Sequence, residues 1–141
     1  MNKNFKNLKK ENSDLTNKIP PIWFFLDTET HAGEFNMACD NFLLTSLLKN
    51  SIKFPVLRVY SWTEKIFSIG ANQKFQTDLS GYKTVKRITG GQAVLHGTPR
   101  NELTYSVVMQ DGLKVKSFYL LIGKVLIAFL EKYSLTADFG N

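Results

Sequence analysis

Apolar positions along this chain recur at two different periods, and the changes of period mark out its elements. Residues 1–20 hold no sustained apolar pattern; they are rich in Asn and Lys, end at Pro20-Pro21, and read as a basic flexible tail followed by a stop. Residues 22–27, IWFFLD, form a short aromatic run suited to a buried strand. A turn follows, and then residues 34–49 read as a helix. There Phe35, Ala38, Phe42, Thr45 and the Leu47/Leu48 pair recur near helical spacing, which puts Asp40 and Asn41 on the face turned away. Residues 55–62, with Val56, Val59 and Tyr60, suit a strand opened by Pro55, and residues 65–70 a second one ending at Gly70. The polar stretch 71–82 reads as loop with a helical turn. Residues 83–89, 93–96 and 102–109 give three more strands, the last two separated by Gly97 and Pro99 as turn punctuation. Residues 114–133 read as a closing helix with an apolar face built from Phe118, Leu121, Ile122, Val125, Leu126, Phe129 and Leu130.

Consecutive strands with short turns imply hairpins, and the helices gather at the ends. The pattern predicts an α+β fold with a mixed, mainly antiparallel sheet and packed helices. With 141 residues the chain has the length of one ordinary domain, here residues 21–141, and no internal repeat or second domain is visible. A composition 43% hydrophobic and 13% aromatic places it among folded rather than disordered chains.

Charge changes the picture little. The net charge is +6 and favours an acidic partner without identifying one. Much of the excess sits in the tail, where Lys3, Lys6, Lys9, Lys10 and Lys18 face only Glu11 and Asp14, so a solvated tail is expected rather than a nucleic-acid arm. The single Cys39 excludes an internal disulfide framework and any multi-cysteine zinc cluster. The N-terminus lacks a signal peptide's apolar core. The longest apolar run, residues 118–130, is broken by Gly123 and Lys124 and falls short of the ~20 residues a membrane-spanning helix needs. A soluble cytoplasmic protein, bound to neither membrane nor nucleic acid, is the expectation.

Candidate chemistry concentrates in residues 85–108, VKRITGGQAVLHGTPRNELTYSVV. Gly90 and Gly91 follow a basic pair, Lys86 and Arg87. Glycines let backbone N–H groups approach an anion or a narrow acyl chain, and an arginine can hold a phosphate or carboxylate with two parallel hydrogen bonds. A plain glycine turn with solvent-facing basic residues is the simpler alternative, since the spacing matches neither a dinucleotide fingerprint nor a Walker phosphate loop. His96 follows an apolar Ala-Val-Leu; a lone histidine beside a strand is more often a structural hydrogen-bonder than a catalyst. With only His31 besides it and no clustered carboxylates, no metal site is expected. Cys39 reads as a buried structural thiol. In SIGANQ, Asn72 and Gln73 either end a strand or offer amides to a ligand, while Trp62 and Phe67 suit the core.

Taken in order, these segments resemble the catalytic domain shared by lipoate–protein ligases, octanoyltransferases and biotin–protein ligases. WFFLDT…GEFNMACDNFLL is similar to the opening strand and helix of the lipoate-ligase-like octanoyltransferase branch. PVLRVYSWTEKIFSIGANQ resembles its Arg-x-Tyr-x-Trp and Ser-Ile-Gly-x-x-Gln segment, and KRITGGQAVLH…ELTYSVV its basic-pair, glycine-loop, Ala-Val-x-His and Glu-Leu-Thr-Tyr-Ser block. The likeness runs from about Trp23 to Phe139.

The resemblance implies a class II synthetase-like α+β fold, incomplete at the C-terminus. It implies attachment of a lipoyl or octanoyl group to a lysine of a carrier domain. Ligases of this kind activate the acid with ATP and Mg²⁺, whereas transferases take the acyl group from an acyl carrier protein and hold it on a cysteine. No tightly bound cofactor is implied. The implied partners are lipoyl-domain proteins, such as a glycine-cleavage H protein or 2-oxoacid dehydrogenase subunits, with an acyl carrier protein as donor. Such carriers are usually acidic, which suits the charge.

The implied substrate-binding residues are Gly70, Gln73, Arg87, Thr89, Gly90, Gly91, Gln92, Ala93 and His96. Gly90-Gly91 would line a narrow tunnel for the acyl chain, with Val94 and Leu95 as wall or core. Three departures stand out. Gln92 occupies a position where ligases commonly have a third glycine, which favours the transferase branch. Gly97 stands where the family often has aspartate, beside a modest insertion, TPRN. The family's catalytic lysine and the transferase cysteine lie beyond Asn141, and Cys39 matches neither. The catalytic residues are therefore unassigned, and a fragment, a split enzyme completed by a second chain, and a non-catalytic acyl- or carrier-binding remnant are the alternatives.

Overall fold

The computed structural model describes residues 22–74, 78–110 and 114–139; the expected basic tail lies outside them. The chain divides into two units, Met1–Gln110 and Asp111–Asn141.

Among its described residues the first unit holds one helix and seven strands. Strand β1 (Phe24–His31) leads into helix α1 (Gly33–Leu48), followed by β2 (Val56–Trp62), β3 (Ile66–Ile69), β4 (Asp78–Leu79), β5 (Tyr82–Lys86), β6 (Val94–His96) and β7 (Thr104–Val108). They form two sheets, ordered β1-β2-β7 and β4-β5-β3-β6. In the first, β1 runs parallel to β2 through the α1 crossover, and β7 is antiparallel to β2. In the second, β3 is parallel to β5 and antiparallel to β6. The α+β class with mixed sheets is as expected; the expected succession of hairpins is not. Consecutive β2 and β3 belong to different sheets, and the one consecutive pair joined as a hairpin among the described strands is β4–β5. Its turn, Ser80-Gly81, has φ of 53° and 79°, the paired positive dihedrals of a type I′ turn that matches strand twist. That hairpin occupies part of the stretch expected to be loop.

The first strand starts later and runs further than expected. The register slips between Asp27 and Thr30, where Glu29 has φ 59° and donates its N–H to Asp27 Oδ1 at 2.9 Å. This bulge aims Thr28 inward, where its hydroxyl oxygen accepts from Arg58 Nε at 2.9 Å.

Helix α1 packs on β2, β5 and β7 with a face different from the one its apolar residues suggest. Gly33, Asn36, Leu43, Ser46 and Leu47 are buried, while Phe35, Phe42 and Leu48 are exposed, Phe42 by 67%. The stripe that meets the sheet runs Gly33, Asn36, Asp40, Leu43, Leu47. Asp40, expected to face solvent, is held by Arg58, which is 0% exposed. Its Oδ1 accepts from Arg58 Nη1 at 2.8 Å and from Ser106 Oγ at 2.7 Å; its Oδ2 accepts from Tyr60 Oη at 3.0 Å. Arg58 also donates to the Asn36 carbonyl and to Asn36 Oδ1, at 3.1 and 2.7 Å. A buried guanidinium requires this degree of satisfaction. Burial first, and then the charge of Asp40, pushes the Tyr60 hydroxyl far above the ordinary tyrosine range, so it remains a donor.

This polar bridge sits between two apolar clusters. One comprises Leu43, Leu47, Val56 and Val108; the other Tyr60, Trp62, Ile66 and Val85. At the helix start, a Cβ on Gly33 would lie 2.5 Å from Ile66 Cδ1, which is why the chain enters the helix through glycine. At its end, Asn50 takes φ 56° while the Ser51 N–H reaches the Ser46 carbonyl, a Schellman closure.

In the second unit, α2 (Val115–Glu131) ends with Ser134 at φ 58° and the Leu135 N–H on the Leu130 carbonyl, the same closure. The following segment brings the Phe139 ring against Gly123, where a Cβ would overlap it. Among the described residues no helix is long and apolar enough to cross a membrane.

Candidate functional site

Sheet register explains how distant residues meet at the ends of β3 and β5. Ser68 on β3 opposes Val85 on β5 and Val94 on β6. Arg87 and His96, each two residues further along, are therefore its same-face diagonal neighbours. Ser68 Oγ lies 2.7 Å from His96 Nε2 and 3.2 Å from Arg87 Nη1. His96 Nδ1 lies 2.6 Å from Glu102 Oε1, across the turn between β6 and β7. Trp62 stacks on the His96 ring with centroids 4.0 Å apart, and its Nε1–H donates to Thr104 Oγ1 at 2.8 Å. Thr104 in turn donates to Glu102 Oε1 at 2.9 Å, and the Gly97 N–H donates to Glu102 Oε2. Burial alone would push the Glu102 carboxyl up; hydrogen bonds from His96, Gly97 and Thr104 outweigh it and hold the group below the ordinary glutamate value.

Arg87 is committed to its own chain. Nη1 donates to the Ser68 carbonyl at 2.8 Å as well as to its hydroxyl, and Nη2 to the carbonyls of Gly90 and Gln92 at 2.9 and 2.7 Å. The guanidinium, pictured from sequence as a grip on a ligand anion, here staples the loop that follows it. In a trans peptide the C=O and the next N–H point in opposite directions, and no peptide bond of the described chain is cis. With the carbonyls of Gly90 and Gln92 turned onto Arg87, the N–H groups of Gly91 and Ala93 point away from it. The Thr89 carbonyl accepts from the Ala71 N–H at 2.8 Å, so the Gly90 N–H likewise points away from Ala71.

Eight of the nine sequence-assigned residues gather about the ends of β3 and β5, whereas His96 pairs with Ile66 at the start of β3 and joins them through Ser68. Gly70 is buried beneath the loop: a Cβ there would stand 2.2 Å from the Gly91 carbonyl oxygen. Gln73 turns back so that its Oε1 accepts the Gly70 N–H at 2.8 Å, and its carbonyl takes Lys86 Nζ at 3.1 Å. Thr89, Gly90, Gly91 and Gln92 are exposed, Ala93 is half-buried and His96 is buried. Val94 and Leu95, expected as wall or core, are exposed instead, and of the three residues of this short edge strand His96 alone is buried. Ser68, Glu102, Trp62 and Thr104 complete the network and were not singled out as site residues from sequence. The signal for Glu102 was present as a carboxylate six residues from a histidine across one turn; Ser68 carried none, since its partners are set by strand register.

Two apolar hollows lie elsewhere in the first unit, each lined in part by Leu26 and Leu43. One, of about 460 Å³, is lined by Phe24, Leu26, Leu43, Ile52, Phe54 and Val56. The other, of about 370 Å³, is lined by Leu26, Phe35, Ala38, Cys39, Phe42 and Leu43. Cys39 is half-buried there rather than enclosed. Among the described residues no three His, Cys, Asp or Glu side chains gather as an ion would require.

Comparison with known proteins covers this site. The sequence profile of the lipoyl protein ligase A/B catalytic domain matches residues 32–141. An octanoyltransferase of Oceanobacillus iheyensis is 42% identical over 131 residues, covering 84% of this chain and 46% of its own. Another, of Macrococcus caseolyticus, is 33% identical over 130 residues with the same coverage. The chain thus spans about half the length of the curated relatives it matches. A bi-partite lipoate protein ligase from Thermoplasma acidophilum, solved in a study that included its E2 lipoyl domain, shares the fold with a TM-score of 0.64. It is 24% identical, over 84% of this chain and 48% of its own.

Proposed function

The chain belongs to the lipoyl protein ligase A/B catalytic-domain family, and on that premise we propose that it provides the acyl-recognition part of an enzyme that moves an octanoyl group onto a lysine of a lipoyl domain. The observation that carries this reading is the stapled loop. Arg87 draws two carbonyls inward, so the N–H groups of Gly91 and Ala93 are turned outward beside a half-buried positive charge. Outward backbone donors of this kind hold an acyl carbonyl or carboxylate and stabilise charge that develops on its oxygen. In this reading Gly70, Gln73 and Thr89 shape the loop from below, Gly90 and Gln92 flank the donors, and His96 acts from behind. Transfer from an octanoylated acyl carrier protein is favoured over ATP-dependent ligation by two features. Identity to octanoyltransferases is 33–42%, and Gln92 places a side chain where the ligase branch commonly has a third glycine. A cytoplasmic setting with acidic carrier proteins as partners belongs to the same proposal.

The test mixes the 141-residue chain with octanoyl-acyl carrier protein and a lipoyl domain, with and without the C-terminal half of a relative, and follows acylation by mass spectrometry. ATP-independent octanoylation in the complemented mixture, abolished by Arg87→Ala, is the expected result. Acylation that requires ATP and free octanoate would replace the transferase reading with a ligase. Calorimetry showing no octanoate binding by the chain, together with no transfer in any mixture, would overturn both.

A further inference from the structure

The arrangement Ser68–His96–Glu102 has the outline of a nucleophilic triad, but Ser68 is only 2% exposed and its hydroxyl is also bonded to Arg87, so no substrate carbon can reach it. Its use lies in direction. Arginine and the tryptophan N–H can only donate; an ionised carboxylate can only accept. Ser68 Oγ accepts from Arg87 Nη1, which leaves its single proton for His96 Nε2. Nε2 must then be bare, the ring proton sits on Nδ1, and Nδ1–H donates to Glu102 Oε1. A second chain of the same polarity runs from Trp62 Nε1 through the Thr104 hydroxyl to the same oxygen. Two donor-only ends converge on one acceptor-only group, so every proton between them has one permitted place.

We propose that Glu102 and His96 are positioning residues: acting through Ser68, they fix the orientation of the Arg87 guanidinium and thereby the outward N–H groups of Gly91 and Ala93. The inference about acyl binding rests on the function proposed above; the inference about the relay does not. Replacing Glu102 by Gln leaves the donors His96, Thr104 and Gly97 facing a group with one acceptor oxygen and an added pair of N–H donors. The relief is a tautomer change at His96, with Nε2–H now turned on Ser68. Ser68 would then receive two donors and have no acceptor for its own proton, and the bond from Arg87 would loosen.

Long-range ¹H–¹⁵N spectra of the wild-type chain at neutral pH should show His96 protonated at Nδ1 and bare at Nε2; Glu102→Gln should reverse this. Exchange of the Arg87 Nη protons with water should quicken about tenfold in Ser68→Ala, the loss of one charged hydrogen bond, and return toward wild type in Ser68→Thr, which restores a hydroxyl. Octanoate affinity measured by calorimetry should fall and recover in the same order. A wild-type Nε2–H tautomer overturns the relay without need of any variant, as does Arg87 exchange unchanged in Ser68→Ala. The expected tautomer and exchange in a chain that binds no octanoate would uphold the relay and remove the function assigned to the loop.

Discussion

Three neighbouring glycines show that a glycine pair in sequence need not be a pair in purpose. Gly70 is confined from above, since any Cβ meets the Gly91 carbonyl oxygen at 2.2 Å and both partners are backbone. Gly91 is confined by dihedral, with φ at 101°, and a Cβ there would also crowd Arg87 Nη2 at 2.9 Å. Gly90 has open space around its Cβ position and no positive φ. Alanine should therefore act differently at each. Gly70→Ala should cost about 1–3 kcal/mol through overpacking, and Gly91→Ala about 1–3 kcal/mol through backbone strain. Gly90→Ala should stay within about 0.5 kcal/mol of wild type. Urea unfolding followed by fluorescence separates the three, and equal losses at Gly90 and Gly91 would contradict the loop conformation. Sequence pointed to both glycines of the pair as walls of a channel; the structure assigns the steric constraint to Gly70 and Gly91, for reasons that only strand pairing reveals.

Helix α1 shows where a sequence pattern misleads about an element while still finding it. Its length and position were legible, because apolar residues at helical spacing between two turns leave little choice. Its orientation was not. The docking face carries Asn36 and Asp40, which sequence statistics assign to solvent, and it is held by Arg58, whose burial is visible only once β2 is placed centrally in its sheet. The same limit explains the rest. Strands β2, β3, β5, β6 and β7 were legible from alternation, but not their partition into two sheets, and the loop motif was legible while Ser68 and Glu102 were not. The helix-to-sheet bridge makes a specific demand: each of its charged members depends on the other. Asp40→Ala leaves the Arg58 guanidinium buried without its anion and should cost about 3–5 kcal/mol. The double replacement Asp40→Leu with Arg58→Met removes both charges and should recover most of that loss. Denaturant midpoints of the two variants decide the matter; a double variant no better than Asp40→Ala would mean that the neighbouring Tyr60, Ser106 and Asn36 groups, stranded without partners, dominate the energetics.

The molecule as a whole exposes apolar surface that a chain of this size ordinarily covers. Edge strand β1 presents Phe24, Phe25 and Leu26, the outer face of α1 presents Phe35 and Phe42, and in the second unit no residue of α2 is buried. Among the described residues β1 is an edge strand, and its exposed aromatic rings favour association, whereas the net charge of +6 opposes it by mutual repulsion. Salt decides between them, because at about 0.1 M ionic strength repulsion is screened beyond ~10 Å while apolar contact is not. The chain should therefore elute as a larger species as its concentration rises from about 1 to about 100 μM, more so in high salt, and should bind a hydrophobic dye. Phe25→Lys combined with Phe42→Glu should reduce both effects while leaving net charge unchanged, so that any improvement is attributable to lost apolar surface rather than to repulsion. Light scattering that is independent of concentration and salt, with no dye binding, would show that these side chains are covered in solution by the chain itself.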